Sequence, residues 1–141
     1  MKARTGLCVL LAIASACGSG SPSAPSTTLS LTGTWTGRFE YQTAGVNVSD
    51  DVTMGVIQLS TTANGNWSAT GGTTGTVSFP ATATVAGSFA ITQTNIASGA
   101  CTGTSTIAGT ATATDLVFTV ANVVQTAACP WATGMKFTLH K

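Results

Sequence analysis

The chain has 141 residues, of which only 6% are charged, and its formal net charge is +1. This length suits one domain with a single core. Because the few basic residues form no cluster, the composition argues against a nucleic-acid partner, whose phosphates need an array of Lys and Arg, and against electrostatic binding to anionic lipid.

The first residues predict export. Lys2 and Arg4 precede an uncharged, apolar run from Leu7 to Ala16. The run is about ten residues long, which matches the core of a secretory signal and falls short of the ~20 residues that a membrane-spanning helix needs. We therefore predict that residues 1–16 are a signal peptide.

The end of this run resembles a lipidation site. Ala14-Ser15-Ala16-Cys17 resembles the lipobox of bacterial lipoproteins, in which cleavage precedes the cysteine and its sulfur is diacylated. The resemblance implies that Cys17 holds the protein in the membrane of the bacterial cell envelope, because each buried acyl CH₂ contributes about 0.8 kcal/mol. The resemblance also implies the outer membrane, because Gly18 is not the acidic residue that signals inner-membrane retention in the enterobacterial members of that group. An ordinary signal peptide beside an unmodified cysteine is the alternative.

A tether follows the cysteine. The chain up to Thr28 is rich in Gly, Ser and Pro, a composition that is flexible and has a typical reach of roughly 18 Å. We therefore divide the chain into a signal peptide (1–16), a lipidated cysteine with its tether (17–28) and a folded domain (29–141). Without the signal peptide, three basic side chains remain against four acidic ones.

The remaining cysteines predict a disulfide. Cys8 leaves with the signal peptide and Cys17 carries lipid, so Cys101 and Cys129 form an even pair in an exported chain. Closing this loop would stabilise the fold by roughly 3–4 kcal/mol in the chain-entropy model. A two-Cys metal site is the alternative, but His140 is the single histidine and no Cys-x-x-Cys occurs. We expect no metal and no cofactor.

Alternating apolar and polar residues predict an all-β domain. Trp35, Phe39 and Tyr41 alternate with polar side chains in 33–41, which is the period of a half-buried strand. Further alternating runs predict strands at 51–61, 67–70, 74–79, 84–96, 103–113, 115–125 and 134–140.

Turn residues separate these runs. Ala63-Asn64-Gly65-Asn66 predicts a hairpin turn, and Gly71-Gly72 predicts another. The apolar side chains that the later runs turn to one side are Val85, Phe89, Ile91, Leu116, Phe118, Val120, Val124, Met135, Phe137 and Leu139.

About eight antiparallel strands with short connections favour an up-and-down β-barrel, because closure removes sheet edges that this nearly uncharged chain has few other means of protecting. A two-sheet β-sandwich is the alternative. A transmembrane barrel is a further alternative, and it needs strands of about 9–11 residues and aromatic girdles. Several runs here are shorter, and the aromatic residues fall on the expected inner face.

The start of the first strand carries a family resemblance. Gly33-Thr34-Trp35 resembles the Gly-x-Trp signature of lipocalins and avidins, in which the Trp closes one end of the barrel. In lipocalins an Arg of the last strand packs over this Trp, whereas the last strand here carries Lys136, which its alternation turns outward. The whole chain is similar to small exported bacterial lipoproteins with this opening, a Thr- and Gly-rich body and a late Cys pair, a group without an assigned activity.

The polar residues do not predict an enzyme. A Ser-His-Asp triad would need His140, which is near the end of the chain on an outward face. Asp50 and Asp51 are adjacent, so in a strand they point to opposite faces and cannot act as an acid and base pair. Asp115 is typical of a turn.

Two functions remain open. In the first, a tethered barrel binds a small apolar ligand, or an envelope protein through its loops. The residues that would line the interior are Trp35, Phe39, Phe89, Phe118, Trp131 and Phe137. In the second, the same side chains fill the barrel, which is a structural envelope protein without a ligand. An interior cavity above ~300 Å³ with convergent polar groups favours the first function.

Overall fold

The computed structural model describes residues 27–43, 45–94, 101–125 and 133–141. Cys17, Cys129, Trp131 and residues 1–16, the predicted signal peptide, lie outside these ranges. The described ranges contain no helix. Their strands are β1 (Gly33–Thr43), β2 (Val46–Leu59), β3 (Thr62–Ala69), β4 (Thr73–Pro80), β5 (Thr84–Gln93), β6 (Cys101–Ala111), β7 (Asp115–Val120), β8 (Val124–Gln125) and β9 (Thr133–His140).

Eight of these strands form a closed antiparallel barrel. Each strand from β1 to β7 pairs with its neighbour in sequence, and β9 pairs with both β7 and β1. The pairing of β5 with β6 joins the two halves of the sheet. The prediction of an all-β, up-and-down β-barrel is therefore confirmed. The described strands do not form the alternative two-sheet β-sandwich.

Alternation separates the core from the surface in every barrel strand. In β3, for example, exposed and buried residues alternate without exception. Apolar side chains face inward, while Thr, Ser and Asn fill most outward positions. Threonine suits this place because its branched Cβ favours the extended backbone and its hydroxyl faces water.

The predicted hairpin turn at residues 63–66 is wrong. These residues belong to β3, and the chain turns at Ser60 and Thr61, where Ser60 has a φ of 57°. Gly65 faces the core, where an added Cβ would lie 2.8 Å from Val77 Cγ2. The Asn-Gly pair therefore marks close packing inside a strand and not a reversal of the chain.

The predicted strand at 115–125 is interrupted. β7 ends at Val120. Between the pairs Ile107–Val120 and Thr104–Val124, the segment from Val120 to Val124 contains one residue more than the part of β6 that it faces. This β-bulge reverses the alternation. The expectation that Val124 faces inward is consequently wrong, since Val124 is 77% exposed.

Glycines let neighbouring strands approach closely inside the barrel. At four inward positions an added Cβ would overlap a backbone carbonyl oxygen of the adjacent strand. Without a side chain at these points the strands can bend enough to close the barrel. The four positions are Gly37, Gly75, Gly87 and Gly109.

One end of the barrel is covered by the segment that precedes β1. Leu29 N donates to Ala81 O at 2.8 Å, and Leu31 N donates to the Gln58 side-chain oxygen at 2.8 Å. Leu31 is buried. We call this side, with its turns at 60–61, 81–83 and 112–114, the covered end. The opposite side, with the β1–β2 and β3–β4 connections, is the mouth.

Candidate functional site

Four of the predicted lining residues meet in the centre of the barrel. The Phe137 ring lies 4.6 Å from that of Phe39, 4.7 Å from Phe118 and 5.9 Å from Phe89, measured between ring centroids. Trp67 joins them at 5.0 Å from Phe137. We call these five residues the ring cluster.

The rings of the cluster meet inside the barrel. They come from β1, β3, β5, β7 and β9, so the rings converge from all sides of the wall. Aromatic pairs at such separations contribute about 0.5–1.5 kcal/mol beyond the area they bury. At this level the Phe137 ring is in contact with rings from four other strands.

Trp67 brings a buried polar group into the cluster. Its Nε1–H has no hydrogen-bond acceptor among the described residues. Because residues 63–66 were predicted to be a turn, Trp67 is not among the predicted lining residues. The alternation of Ala63, Gly65 and Trp67 in the sequence nevertheless indicates that Trp67 faces inward. A buried donor without an acceptor costs about 1–3 kcal/mol.

Trp35, the fifth described lining residue, lies toward the covered end. Its Nε1 donates to Leu31 O at 2.9 Å, and the ring is fully buried. Lys141 Nζ lies 5.7 Å from the ring centroid, within the range of a cation–π contact.

Lys141 is not among the predicted lining residues, although the alternation of Met135, Phe137 and Leu139 puts residue 141 on the same side of the chain. Lys136 is exposed, as predicted. Gly33 provides space for the cation, because an added Cβ would lie 2.7 Å from Lys141 Cε. Its φ of 143° also favours glycine.

The mouth holds a tyrosine and a carboxylate. Tyr41 stacks on Phe39 at 4.8 Å, and its hydroxyl donates to Asp50 Oδ2 at 3.3 Å. Burial raises the pKa of the Tyr41 phenol, and the charge of Asp50 and the hydrogen bond to it raise that pKa further. Asp51 points away and pairs with Arg38, so the adjacent carboxylates diverge as predicted.

An open groove of about 430 Å³ lies beside this pair. Gln42 Nε2 donates to Asn47 Oδ1 at 2.8 Å along one wall. Because the groove carries amides, hydroxyls and a carboxylate, it suits a polar ligand better than an apolar one. Its lining residues are Glu40, Tyr41, Gln42, Asn47, Val48, Ser49 and Gly134.

The single histidine belongs to a surface cluster at the covered end. His140 Nδ1 lies 2.7 Å from Asp115 Oδ1, and Thr114 Oγ1 donates to Asp115 Oδ2 at 2.8 Å. The hydrogen bond from Thr114, followed by those from His140 and Thr112, lowers the pKa of the Asp115 carboxyl. The cluster caps a turn, and His140 is exposed as predicted.

The described residues contain no group of three or more His, Cys, Asp or Glu side chains placed to hold a metal ion. Cys101 is buried at the start of β6. Its predicted partner, Cys129, lies outside the described residues, so the disulfide stays a prediction.

Comparison with known proteins finds no match for this chain among protein-family models, curated proteins or solved structures. In the ranges that the structure describes, no helix has the length and hydropathy to cross a bilayer. The geometry of the chain itself is therefore the basis of its proposed function.

Proposed function

We propose that this chain is a lipid-anchored protein of the bacterial envelope whose barrel is a non-catalytic scaffold filled by its own side chains. The ring cluster is the observation that supports a barrel filled by its own side chains. Phe137 contacts four other rings at centroid distances of 4.6–5.9 Å. An apolar ligand at this level would have to displace rings that already bury one another.

The sequence supports the anchor. The basic leader, the short apolar run and the small residues before Cys17 are the features of a lipoprotein signal. The Gly-, Ser- and Pro-rich segment up to Thr28 then links the barrel to the anchor. Two or three acyl chains on Cys17 would hold so small a domain almost irreversibly.

The anchor is tested with the full chain expressed in a bacterium. We expect membrane-bound protein whose mass equals residues 17–141 plus acyl chains, and we expect Cys17→Ala to remove both the acyl mass and the membrane association. Recovery of wild-type protein with residues 1–16 attached, or with an unmodified thiol at Cys17, would contradict the proposal.

The filled interior is tested with an apolar fluorescent probe added to Cys17→Ala protein, which carries no lipid to compete for the dye. We expect no saturable binding. Saturable binding that quenches Trp67 or Trp35 would instead favour a ligand inside the barrel.

Recognition of an envelope partner at the mouth is a second candidate function. The groove beside Tyr41 favours it, since it has about 430 Å³ of open space and a carboxylate, Glu40, next to two amides. A photo-crosslinking residue at Asn47 would capture such a partner in the envelope. The matched control is Asn64, an exposed asparagine on the wall in β3. Equal labelling at both positions would contradict recognition at the mouth.

A further inference from the structure

Among the described residues the large hydrophobic side chains exposed on the barrel are those of Val46, Ile57, Leu59 and Val124, and Ile57 and Leu59 are the two that lie next to each other. Ile57 and Leu59 are 61% and 67% exposed. They are two residues apart in β2, so they lie side by side on its outward face. Their partners across β3 are Asn64 and Thr62, whose side chains are exposed as well.

This pair lies at the covered end, beside the point where the N-terminal segment leaves the barrel. β1 begins opposite Val56, so no strand flanks Ile57 and Leu59 on that side. Gln58, which lies between them, instead contacts the N-terminal segment: its backbone N donates to Thr32 Oγ1 at 3.0 Å, and its side-chain oxygen accepts from Leu31 N.

The chain between this point and Cys17 is short. Nine residues separate Cys17 from Thr27, the first described residue. A flexible segment of this length has a typical reach of roughly 18 Å and a maximum of about 35 Å. A lipid on Cys17 therefore holds the covered end of the barrel close to the membrane surface.

The distribution of charged side chains agrees with a covered end that lies close to the membrane. The covered end carries Lys141 beside Trp35, and its single described carboxylate side chain, Asp115, is already bonded to His140. The side chains of Glu40 and Asp50 lie toward the mouth, next to Tyr41. The covered end is thus the less acidic of the two.

We propose that Ile57 and Leu59 contact the headgroup–acyl boundary of the bilayer that holds the anchor, so that the barrel stands on its covered end with its mouth pointing away. This inference rests on the proposed lipidation of Cys17. Two aliphatic side chains are too few to hold a free protein on a membrane. They suffice to orient a tethered one, because the tether keeps the patch at a high effective concentration near the lipid.

The test uses the lipidated full chain in vesicles of phosphatidylethanolamine and phosphatidylglycerol, with a fluorophore on an introduced cysteine. Ile57→Cys and Leu59→Cys place the label in the patch. Val46→Cys is the matched control, because Val46 lies at the other end of the same strand and is also 61% exposed. The parent chain, treated with the same label, measures any reaction of the native cysteines.

We expect an aqueous quencher to act about threefold or more weakly on the labels at positions 57 and 59 than on the label at position 46, because the first two lie among lipid headgroups. The difference should vanish in Cys17→Ala protein. A second probe, Thr62→Cys, should lose its protection when Ile57→Thr and Leu59→Thr are added, which covers the case in which a label at 57 or 59 disturbs the fold.

Vesicle flotation separates the two proposals. Labelled protein that floats but is quenched equally at positions 57 and 46 overturns the orientation and leaves the anchor intact. Protein that does not float overturns the anchor and the orientation together. Protection at position 57 that appears without vesicles and rises with protein concentration shows that a second copy covers the patch, which also overturns the inference.

Discussion

The two described tryptophans differ in what their indole N–H groups contact. Trp35 donates to the Leu31 carbonyl, and its ring receives the Lys141 cation. Trp67 is also buried but has no acceptor for its N–H among the described residues. Burial alone therefore does not measure what each residue contributes to stability.

This difference predicts unequal costs for the same substitution. Trp35→Phe removes a hydrogen bond and leaves the Leu31 carbonyl without its donor, whereas Trp67→Phe removes a donor that has no acceptor. We expect Trp35→Phe to lower the free energy of unfolding by about 1–2 kcal/mol more than Trp67→Phe. Urea unfolding followed by circular dichroism measures both. Equal losses would contradict this assignment.

Tyr41 offers a second test at the scale of one residue, because it is the single tyrosine of the chain. Burial and Asp50 favour its neutral form, so its pKa lies above the ordinary value of 10.0. The resulting stability is fully present below the pKa of the unfolded chain, and it is lost as the pH rises through the higher pKa of the folded protein.

We expect Asp50→Asn to lower the pKa of Tyr41 without restoring its ordinary value, because burial, the leading cause, remains. The increase of tyrosinate absorbance with pH measures this pKa directly. Asp51→Asn is the control, since this neighbouring carboxylate pairs with Arg38 on the outer face. If both substitutions shift the titration equally, Asp50 has no specific contact with the phenol.

At the scale of the strand, barrel closure depends on inward glycines. Gly75 faces the Ala90 carbonyl in β5, and Gly109 faces the Val117 carbonyl in β7, each too closely for a Cβ. A backbone carbonyl cannot move aside as a flexible side chain can. These contacts lie between strands that are already hydrogen-bonded, so relieving them requires the ladder itself to shift.

We therefore expect Gly75→Ala and Gly109→Ala each to cost at least about 2–3 kcal/mol of unfolding free energy, the upper part of the range for overpacked cores. Gly55→Ala is the matched control: this glycine is in β2, and an added Cβ there has no atom within 4 Å. The control should be neutral or should stabilise by up to about 1 kcal/mol. Thermal unfolding compares the three, and similar melting temperatures would refute the close approach.

For the molecule as a whole, charge contributes little to the fold. Residues 52–114 contain no Asp, Glu, Lys, Arg or His, and they include β3 to β6 entirely. Half of the barrel wall is therefore stabilised without ion pairs, by backbone ladders, apolar packing and a few side-chain hydrogen bonds such as that from Ser105 Oγ to Ala121 O. The ring cluster, which draws on five strands, connects this uncharged half to the half that carries the ion pairs.

Removing the central ring tests this connection. Phe137→Ala should cost about 3–5 kcal/mol and leave an interior cavity, whereas Lys136→Ala, at the exposed neighbouring position, should change stability by less than about 0.5 kcal/mol. If Phe137→Ala still folds, we expect it to bind the apolar probe that we expect the unsubstituted barrel to exclude. A substitution at Phe137 that costs no more than that at Lys136 would contradict a filled interior.

Much of the barrel could be predicted from local patterns. The alternation of Trp35 with Phe39, and of Met135 with Phe137 and Leu139, specifies which face of each strand is buried, because a strand turns successive side chains to opposite sides. Short connections, no helical period and a scarcity of charge then favour a closed sheet. The same alternation, continued from Leu139 to residue 141, also puts Lys141 on the side of the chain where it meets Trp35.

Tertiary contacts decided the rest. The Asn64-Gly65 pair has the local chemistry of a turn, but Val77 and Met54 on the neighbouring strands need the space that Gly65 leaves open. The bulge after Val120 turns Val124 outward because it adds a residue against β6, which the sequence of β7 does not indicate. By itself the sequence determined the strands and their buried faces, since these depend on neighbours along the chain. Whether the interior is filled depends on rings from five strands meeting at one level, which is a property of the closed barrel.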